Sequence, residues 1–171
     1  MRRSFLCGAL SLAVACLIPV CASAQTINVD YDRDVDFAKF KTYAWVQGQP
    51  APNPLVDKRI HNAIDSQLQS KGWTKDPSTP DAVVVYYAAV DAQRELNGSG
   101  GGPRWTSFGT LRVDLILTGQ LVVDVYDAST QELVWRGHAS DSVTDSSEKN
   151  EKRLNESVAK LFRQFPPRAA R

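Results

Sequence analysis

Apolar and polar residues alternate at Ile27, Val29 and Tyr31, which predicts a strand. A turn-like acidic stretch follows, and Thr42-Tyr43-Ala44-Trp45-Val46 reads as a second strand, rich in aromatic and β-branched residues. Gly48 to Pro52 is a breaker segment. The period then lengthens to four: Val56, Ile60, Ile64 and Leu68, with Ala63 beside them, make one apolar helical stripe. Asn53 is the expected N-cap and Pro54 the first helical residue, where a missing N–H costs nothing. Gly72 supplies the left-handed stop, and Trp73 is placed to fold back onto Leu68. The helix should run over 54–70.

Ala82 to Val90 is a continuous apolar run. It predicts a strand covered on both faces and central in its sheet. Residues 91–109 lose periodicity, and Asn97 to Pro103 is expected to be a mobile loop. Alternation returns over 111–126, as one bent strand or as two joined at Gly119. Asp127 to Thr130 is a turn, so 120–139 should be a hairpin. Asp145-Ser146-Ser147-Glu148 has capping-box form, and Leu154, Val158, Leu161, Phe162 and Phe165 follow at helical spacing, predicting a helix over 147–164. Each helix has one apolar stripe and must lie on a sheet. Short connections between the later strands favour antiparallel pairing. The expected class is α+β, two-layer, with two helices packed on one face of a mostly antiparallel sheet.

The first 24 residues stand apart. Arg2 and Arg3 precede an apolar run from Phe5 to Val20, and Ala22-Ser23-Ala24 gives a small-x-small site before Gln25. These are the three parts of a secretory signal, and the run is too short to span a membrane as a helix. Residues 1–24 are therefore expected to be removed between Ala24 and Gln25. Residues 25–165 are expected to form a single α+β domain, and 166–171 a basic tail. The expected destination is the periplasm. Lipidation at Cys16 or Cys21, giving an outer-membrane lipoprotein, is the alternative; Val20 is bulky where a small residue is wanted before Cys21. Arg2-Arg3-Ser4-Phe5-Leu6 also resembles a twin-arginine export motif, with a very short lead and Cys7 in place of the usual Lys.

All three cysteines fall inside the first 24 residues. The mature chain is then Cys-free, which excludes disulfides, thiolate zinc sites, iron–sulfur clusters and Cys nucleophiles together. Its 147 residues can bury a core without staples. Without Arg2 and Arg3 there are 18 basic residues against 19 acidic, so nothing marks a nucleic-acid partner or a polybasic membrane contact. A membrane association is expected only through lipidation at Cys16 or Cys21.

Candidate chemistry is sparse. Asp30, Asp32, Asp34 and Asp36 have calcium-loop spacing, but Val35 stands where Gly is needed and Lys41 where Glu is needed. A charged strand face is the simpler reading. His61 falls beside the apolar stripe and is expected at the surface. His138, with Ser140 and Asp141 close in sequence, lacks the spatially separate elements from which a catalytic triad is assembled. Gly98 to Gly102 lacks the Lys-Ser/Thr and helix start of a phosphate cradle. Arg104, Trp105 and Phe108 beside that loop are the candidate binding patch; the competing role is to anchor the loop to the sheet. No catalytic residue, cofactor site or metal site is assigned.

Asp30-Tyr31-Asp32 and Asp36-Phe37-x-x-Phe40-Lys41-Thr42-Tyr43-Ala44-Trp45 open an ordered series of landmarks. Ile60-x-x-Ala63-Ile64 and Leu68-x-x-Lys71-Gly72-Trp73 continue it, then Pro80-Asp81, Leu121-Val122-Val123-Asp124-Val125-Tyr126-Asp127 and Leu133-Val134-Trp135-Arg136-Gly137. The series resembles the bacterial family known as domain of unknown function 4136, over nearly all of 27–165. The resemblance implies an exported envelope protein, often a lipoprotein in that family, and carries over no catalytic residue. Trp45, Trp73 and Trp135 are expected to cover core edges, and Gly137 to mark a bulge. Together these readings give a non-enzymatic binding or accessory module with an envelope partner. A carboxylate-based hydrolase and a tethered structural lipoprotein are the alternatives.

Overall fold

The computed structural model describes residues 25–99 and 110–167. Eight elements follow in order: β1 (Thr26–Tyr31), β2 (Thr42–Trp45), α1 (Pro54–Ser70), β3 (Thr74–Lys75), β4 (Ala82–Ser99), β5 (Thr110–Asp127), β6 (Leu133–Val143) and α2 (Ser147–Leu161). The class is α+β. The six strands make one sheet in the order β1-β6-β5-β4-β2-β3.

The sheet is mixed, which corrects the mostly antiparallel expectation. β1, β6, β5 and β4 pair antiparallel, but β2 runs parallel to both β4 and β3. The reason lies in the connection. α1 stands between β2 and the strands that follow it, and a helical crossover returns the chain in the same direction, whereas a tight turn reverses it.

α1 forms where its local chemistry dictates. The Leu55 amide donates to Asn53 Oδ1 at 2.9 Å, and Pro54 opens the helix. Gly72 takes φ +84°, and the Trp73 amide donates to the Leu68 carbonyl at 3.0 Å, which ends it. Ile60, Ile64 and Leu68 are buried on one stripe. Each contributes about 1.5–3 kcal/mol by leaving water. Val56 departs from the stripe and is 37% exposed. For α2 the N-cap is Ser146, whose Oγ accepts from the Lys149 amide, one residue later than the Asp145 box predicts. The helix runs to Leu161, and a 3-10 turn over Phe162–Gln164 completes the predicted span.

Buried residues of both helices share one core with Val84, Tyr86 and Ala88 of β4, Leu121, Val123 and Val125 of β5, and Trp135 and Ala139 of β6. The two-residue strand period puts these sheet residues on a single face. An aromatic series runs through that core, edge-to-face except for the tilted Phe40–Trp73 pair: Phe37 to Phe40 (5.9 Å), Phe40 to Trp73 (5.8 Å), Trp73 to Phe165 (5.1 Å) and Phe165 to Trp135 (5.2 Å). Trp73 and Trp135 are thus inside the core, and Trp45 is half-buried.

Several further expectations change. β5 is one strand through Gly119, paired to β4 from Ala82↔Asp127 to Ser99↔Thr110. β4 therefore reaches nine residues past Val90, and Asn97 to Ser99 lie in a strand, not a loop. β4 is central, and on its second face Val85 is buried while Tyr87 and Ala89 are exposed, so that face is covered only in part. Gly137 is not a bulge; the register shift falls at Val125/Tyr126. A Cβ on Gly137 would lie 2.5 Å from Trp135 Cη2 and 3.0 Å from Leu161 Cδ2, so glycine is there to let the indole and α2 lie on β6.

Candidate functional site

On the core face, side-chain volume falls away toward one end of the sheet. Val84, Tyr86, Val123 and Val125 give way to Ala88, paired with Leu121, which is paired with Ala139. The next rung holds Val90, Gly119 and Asp141. Strands spaced about 4.8 Å apart thus carry two adjacent rungs on which Ala88, Ala139 and Gly119 leave side-chain volume unfilled. The result is a cleft of about 260 Å³, floored by these residues and walled by Val56 and Ile60 of α1 and by Leu154 and Ser157 of α2. Ala51, Pro52 and Asn53, the segment leading into α1, line it as well. A Cβ on Gly119 would meet Val143 Cγ2 at 3.1 Å, so this floor position has little room for a larger residue.

Ion pairs hold the rim. Arg59 Nε lies 3.1 Å from Glu151 Oε2, and its Nη1 donates to Ser147 Oγ at 3.0 Å, tying α1 to α2. Arg153 Nη1 lies 3.3 Å from Asp141 Oδ1 and donates to the Ser142 carbonyl at 3.2 Å, tying α2 to β6. The Asn150 side chain accepts from the Thr144 amide at 2.9 Å and donates to the Thr144 carbonyl at 2.6 Å, which fixes the start of α2. Gln25 reaches the same region: its amide donates to Asp141 Oδ2 at 3.3 Å and to Ser157, and its carbonyl accepts from Lys160. Both rim carboxylates therefore face guanidinium groups. Such pairing suits a structural brace between the elements it joins.

The opposite face sets polar side chains among Val83, Val85 and Val122. Arg136 Nε and Nη2 donate to Asp124 at 2.7 and 2.6 Å, and the Asp124 side chain is fully buried beneath them. The carboxylate holds the guanidinium above its ordinary range. Gln120 donates to Asp91 at 2.7 Å and lies 2.9 Å from His138 Nε2, so His138 belongs to a cross-strand polar row. Asp141 turns to the cleft side and pairs with Arg153, so His138, Ser140 and Asp141 do not converge.

His61 is not a free surface residue: it packs between Trp45 at 4.4 Å and Tyr86 at 5.1 Å. Nearby, Tyr43 and Trp45 donate to Asp65 Oδ1 at 2.7 and 2.8 Å, and burial together with that carboxylate pushes the Tyr43 phenol far above its usual range. Of the four aspartates, only Asp30 lies in a strand. Asp32 and Asp36 accept from the Asp34 and Ala38 amides at 2.9 Å and shape turns, so the four do not share a strand face. Among the described residues, no three His, Cys, Asp or Glu side chains stand close enough to hold a metal ion. No described helix is long and apolar enough to cross a membrane. Arg104, Trp105, Phe108 and Ala24 lie outside the described residues.

The cleft has no counterpart among the sequence candidates. Its signal is a loss of side-chain size at matching rungs of three strands, and that is visible only once the register is known.

Among the described residues these features define an α+β fold with a mixed six-stranded sheet and an apolar cleft lined by residues of both helices and the sheet. The chain belongs to the family described as a domain of unknown function, DUF4136, whose profile matches residues 27–167. No curated protein matches it in sequence. Among solved structures it is similar to a PDZ domain protein from Parabacteroides distasonis, with a TM-score of 0.56 and 19% identity. That match covers 85% of this chain but only 37% of the other, so the likeness is to part of a larger protein. It is also similar to PelC from Paraburkholderia phytofirmans, solved as a dodecamer, with a TM-score of 0.53 and 13% identity over 86% of this chain and all of PelC. At these identities the likeness is one of fold.

Proposed function

We propose that this protein is an exported, non-enzymatic binding module of the bacterial cell envelope, released at the Ala24–Gln25 bond and holding its ligand in the cleft. In this reading the helices form one layer over the sheet, and the cleft is the seam between layers. The observation that carries the reading is the apolar cleft, floored by Ala88, Leu121 and Ala139 and braced at its rim by paired charges. Concave apolar sites with a few fixed polar groups are the usual form of small-molecule pockets. The ion-paired state of Asp141 and Glu151 argues against a carboxylate-based hydrolase at this site.

Native and intact mass spectrometry on protein recovered from fractionated cells tests the proposal. The expected species is soluble, begins at Gln25 and carries a non-covalent adduct that an Ala139→Leu variant loses. A chain retained in the cytoplasm with its first 24 residues overturns export. An adduct indifferent to Ala139→Leu overturns the site. A membrane species beginning at Cys16 or Cys21 and heavier by acyl chains replaces the free periplasmic form with a tethered lipoprotein.

Self-assembly is a second reading, favoured by the exposed Val29 and Tyr31 on edge strand β1. PelC, of the same fold, is a dodecamer. The same native spectra read it directly as multiples of the chain mass.

A further inference from the structure

We infer that the cleft takes a single unbranched acyl chain and leaves the polar head of that amphiphile at the rim; this rests on the binding reading above. Three observations carry it. The first is size. A methylene fills roughly the ~30 Å³ that a water takes in the liquid, so a cleft of about 260 Å³ holds on the order of nine carbons. That is too little for a two-chain lipid and enough for much of one medium chain.

The second is wall chemistry. The apolar lining is aliphatic: Val56, Ile60, Leu121, Val143 and Leu154 surround a floor flattened by Ala88, Gly119 and Ala139. The aromatic side chains of this core lie elsewhere, in the Phe37-to-Trp135 series and in the Trp45–His61–Tyr86 cluster. A smooth aliphatic trough matches a polymethylene chain, whereas a fused ring system would find no aromatic surface to stack on.

The third is the rim. Arg59 is paired with Glu151 and Arg153 with Asp141, so the two guanidiniums are matched by two carboxylates. The rim offers hydrogen bonds without a net charge. The length of the chain, and not the charge of the head, therefore sets affinity. Each added methylene should strengthen binding about fourfold, from ~0.8 kcal/mol per buried CH₂, until the cleft is full.

The test is a fluorescence titration of the mature protein with N-phenyl-1-naphthylamine, followed by displacement with straight-chain carboxylates of six to sixteen carbons. Decanol and a ten-carbon lysophosphatidylcholine serve as head-group arms. The expected result is a saturable probe signal and displacement that gains about fourfold per carbon, then levels near nine or ten carbons.

Ala139→Leu, which fills the floor, should abolish both signals, with its fold checked by circular dichroism. If that variant does not fold, Leu154→Ala is the independent check: it widens the cleft and should move the plateau two to three carbons longer. Equal displacement by carboxylate, alcohol and lysolipid identifies the chain as the recognised part. Displacement by the lysolipid alone assigns the source to membrane lipid, and by the carboxylate alone to free fatty acid; either overturns head-independent recognition. Probe binding that Ala139→Leu removes but no chain displaces overturns the acyl inference and leaves the cleft reading standing. No binding of probe or chain overturns both.

Discussion

Arg136→Met and Asp124→Asn disrupt the same ion pair from opposite ends, and the two losses should differ. The Asp124 side chain is 0% exposed, whereas that of Arg136 is 51% exposed. Removing the guanidinium strands a carboxylate that has no water to turn to. Its other contact, the Tyr126 hydroxyl, stands at 3.4 Å and cannot replace bonds of 2.7 and 2.6 Å. Breaking a buried pair in this way costs about 3–5 kcal/mol. Asp124→Asn instead leaves a guanidinium already half in water, and the Asn carbonyl can still accept from it. The loss is then close to one charge-assisted hydrogen bond, at the low end of about 1.5–3 kcal/mol. Asp124→Leu combined with Arg136→Met removes both charges and should cost less than Arg136→Met alone. Urea unfolding followed by far-UV circular dichroism measures all three, with an unchanged m-value as the check that the unfolded state is the same. Equal losses for the two single variants, or a loss under about 1 kcal/mol for Arg136→Met, would refute the burial argument.

Gly137→Ala should cost about 1–3 kcal/mol by overpacking, because its Cβ would sit 2.5 Å from the Trp135 ring; urea unfolding gives the loss, and near-UV circular dichroism should show the indole displaced. Gly72→Ala meets nothing within 4 Å, so its cost of about 1 kcal/mol comes from the +84° φ alone, and Gly72→Asn should recover part of it in the same unfolding assay. At Asp127, burial alone would raise the carboxyl. Lys39 at 2.6 Å, with the Ser129 hydroxyl and amide, outweighs burial and holds the group well below the usual carboxylate range. A carboxyl lowered in the folded state adds stability above its unfolded pKa of about 3.9 and loses that stability as pH falls toward the folded value. Asp127→Asn should therefore be less stable than the parent at pH 7, with a gap that begins to narrow below about pH 4; matched urea curves at pH 7 and pH 3 check this, and a constant gap defeats it.

The helices were legible because local chemistry sets their ends. Asn53, Pro54 and Gly72 bracket α1 without help from tertiary contacts. The parallel pairing of β2 was also readable in principle, since a strand, a long helix and a second strand describe a crossover. Weighing only the short connections between the later strands hid it. The far end of β4 was not readable locally. Asp91 to Ser99 lack a strand pattern of their own and are held by their register with Thr110 to Thr118 on β5. The cleft was hidden for a related reason. Ala88, Gly119 and Ala139 look like weak strand residues one at a time, and only cross-strand pairing brings them to adjacent rungs. Gly137 was misjudged because a glycine in a strand signals either a bulge or a close approach, and the choice depends on where the Trp135 ring lies.

The landmarks that carry the family resemblance have identifiable structural work. Phe37 and Phe40 begin the aromatic series. The Asp81 carboxylate accepts from the Lys41 and Thr42 amides at 2.8 and 2.9 Å, which clamps β2 at the start of β4 and holds that carboxyl below its usual range. Gly72 ends α1, Asp124 pairs with Arg136, Asp127 organises the turn into β6, and Gly137 makes room for Trp135. Ala88, Gly119 and Ala139 are not among these landmarks. The motif therefore specifies the scaffold, and of the cleft it includes Leu121 and Ile60 but not the three small floor residues. Two chains can share every landmark and still differ in the depth of the trough, because replacing Ala with Val or Leu at one floor position changes the volume without touching the clamp, the turn or the aromatic core. Membership of DUF4136 thus speaks to the architecture, and function has to be argued from the cleft itself.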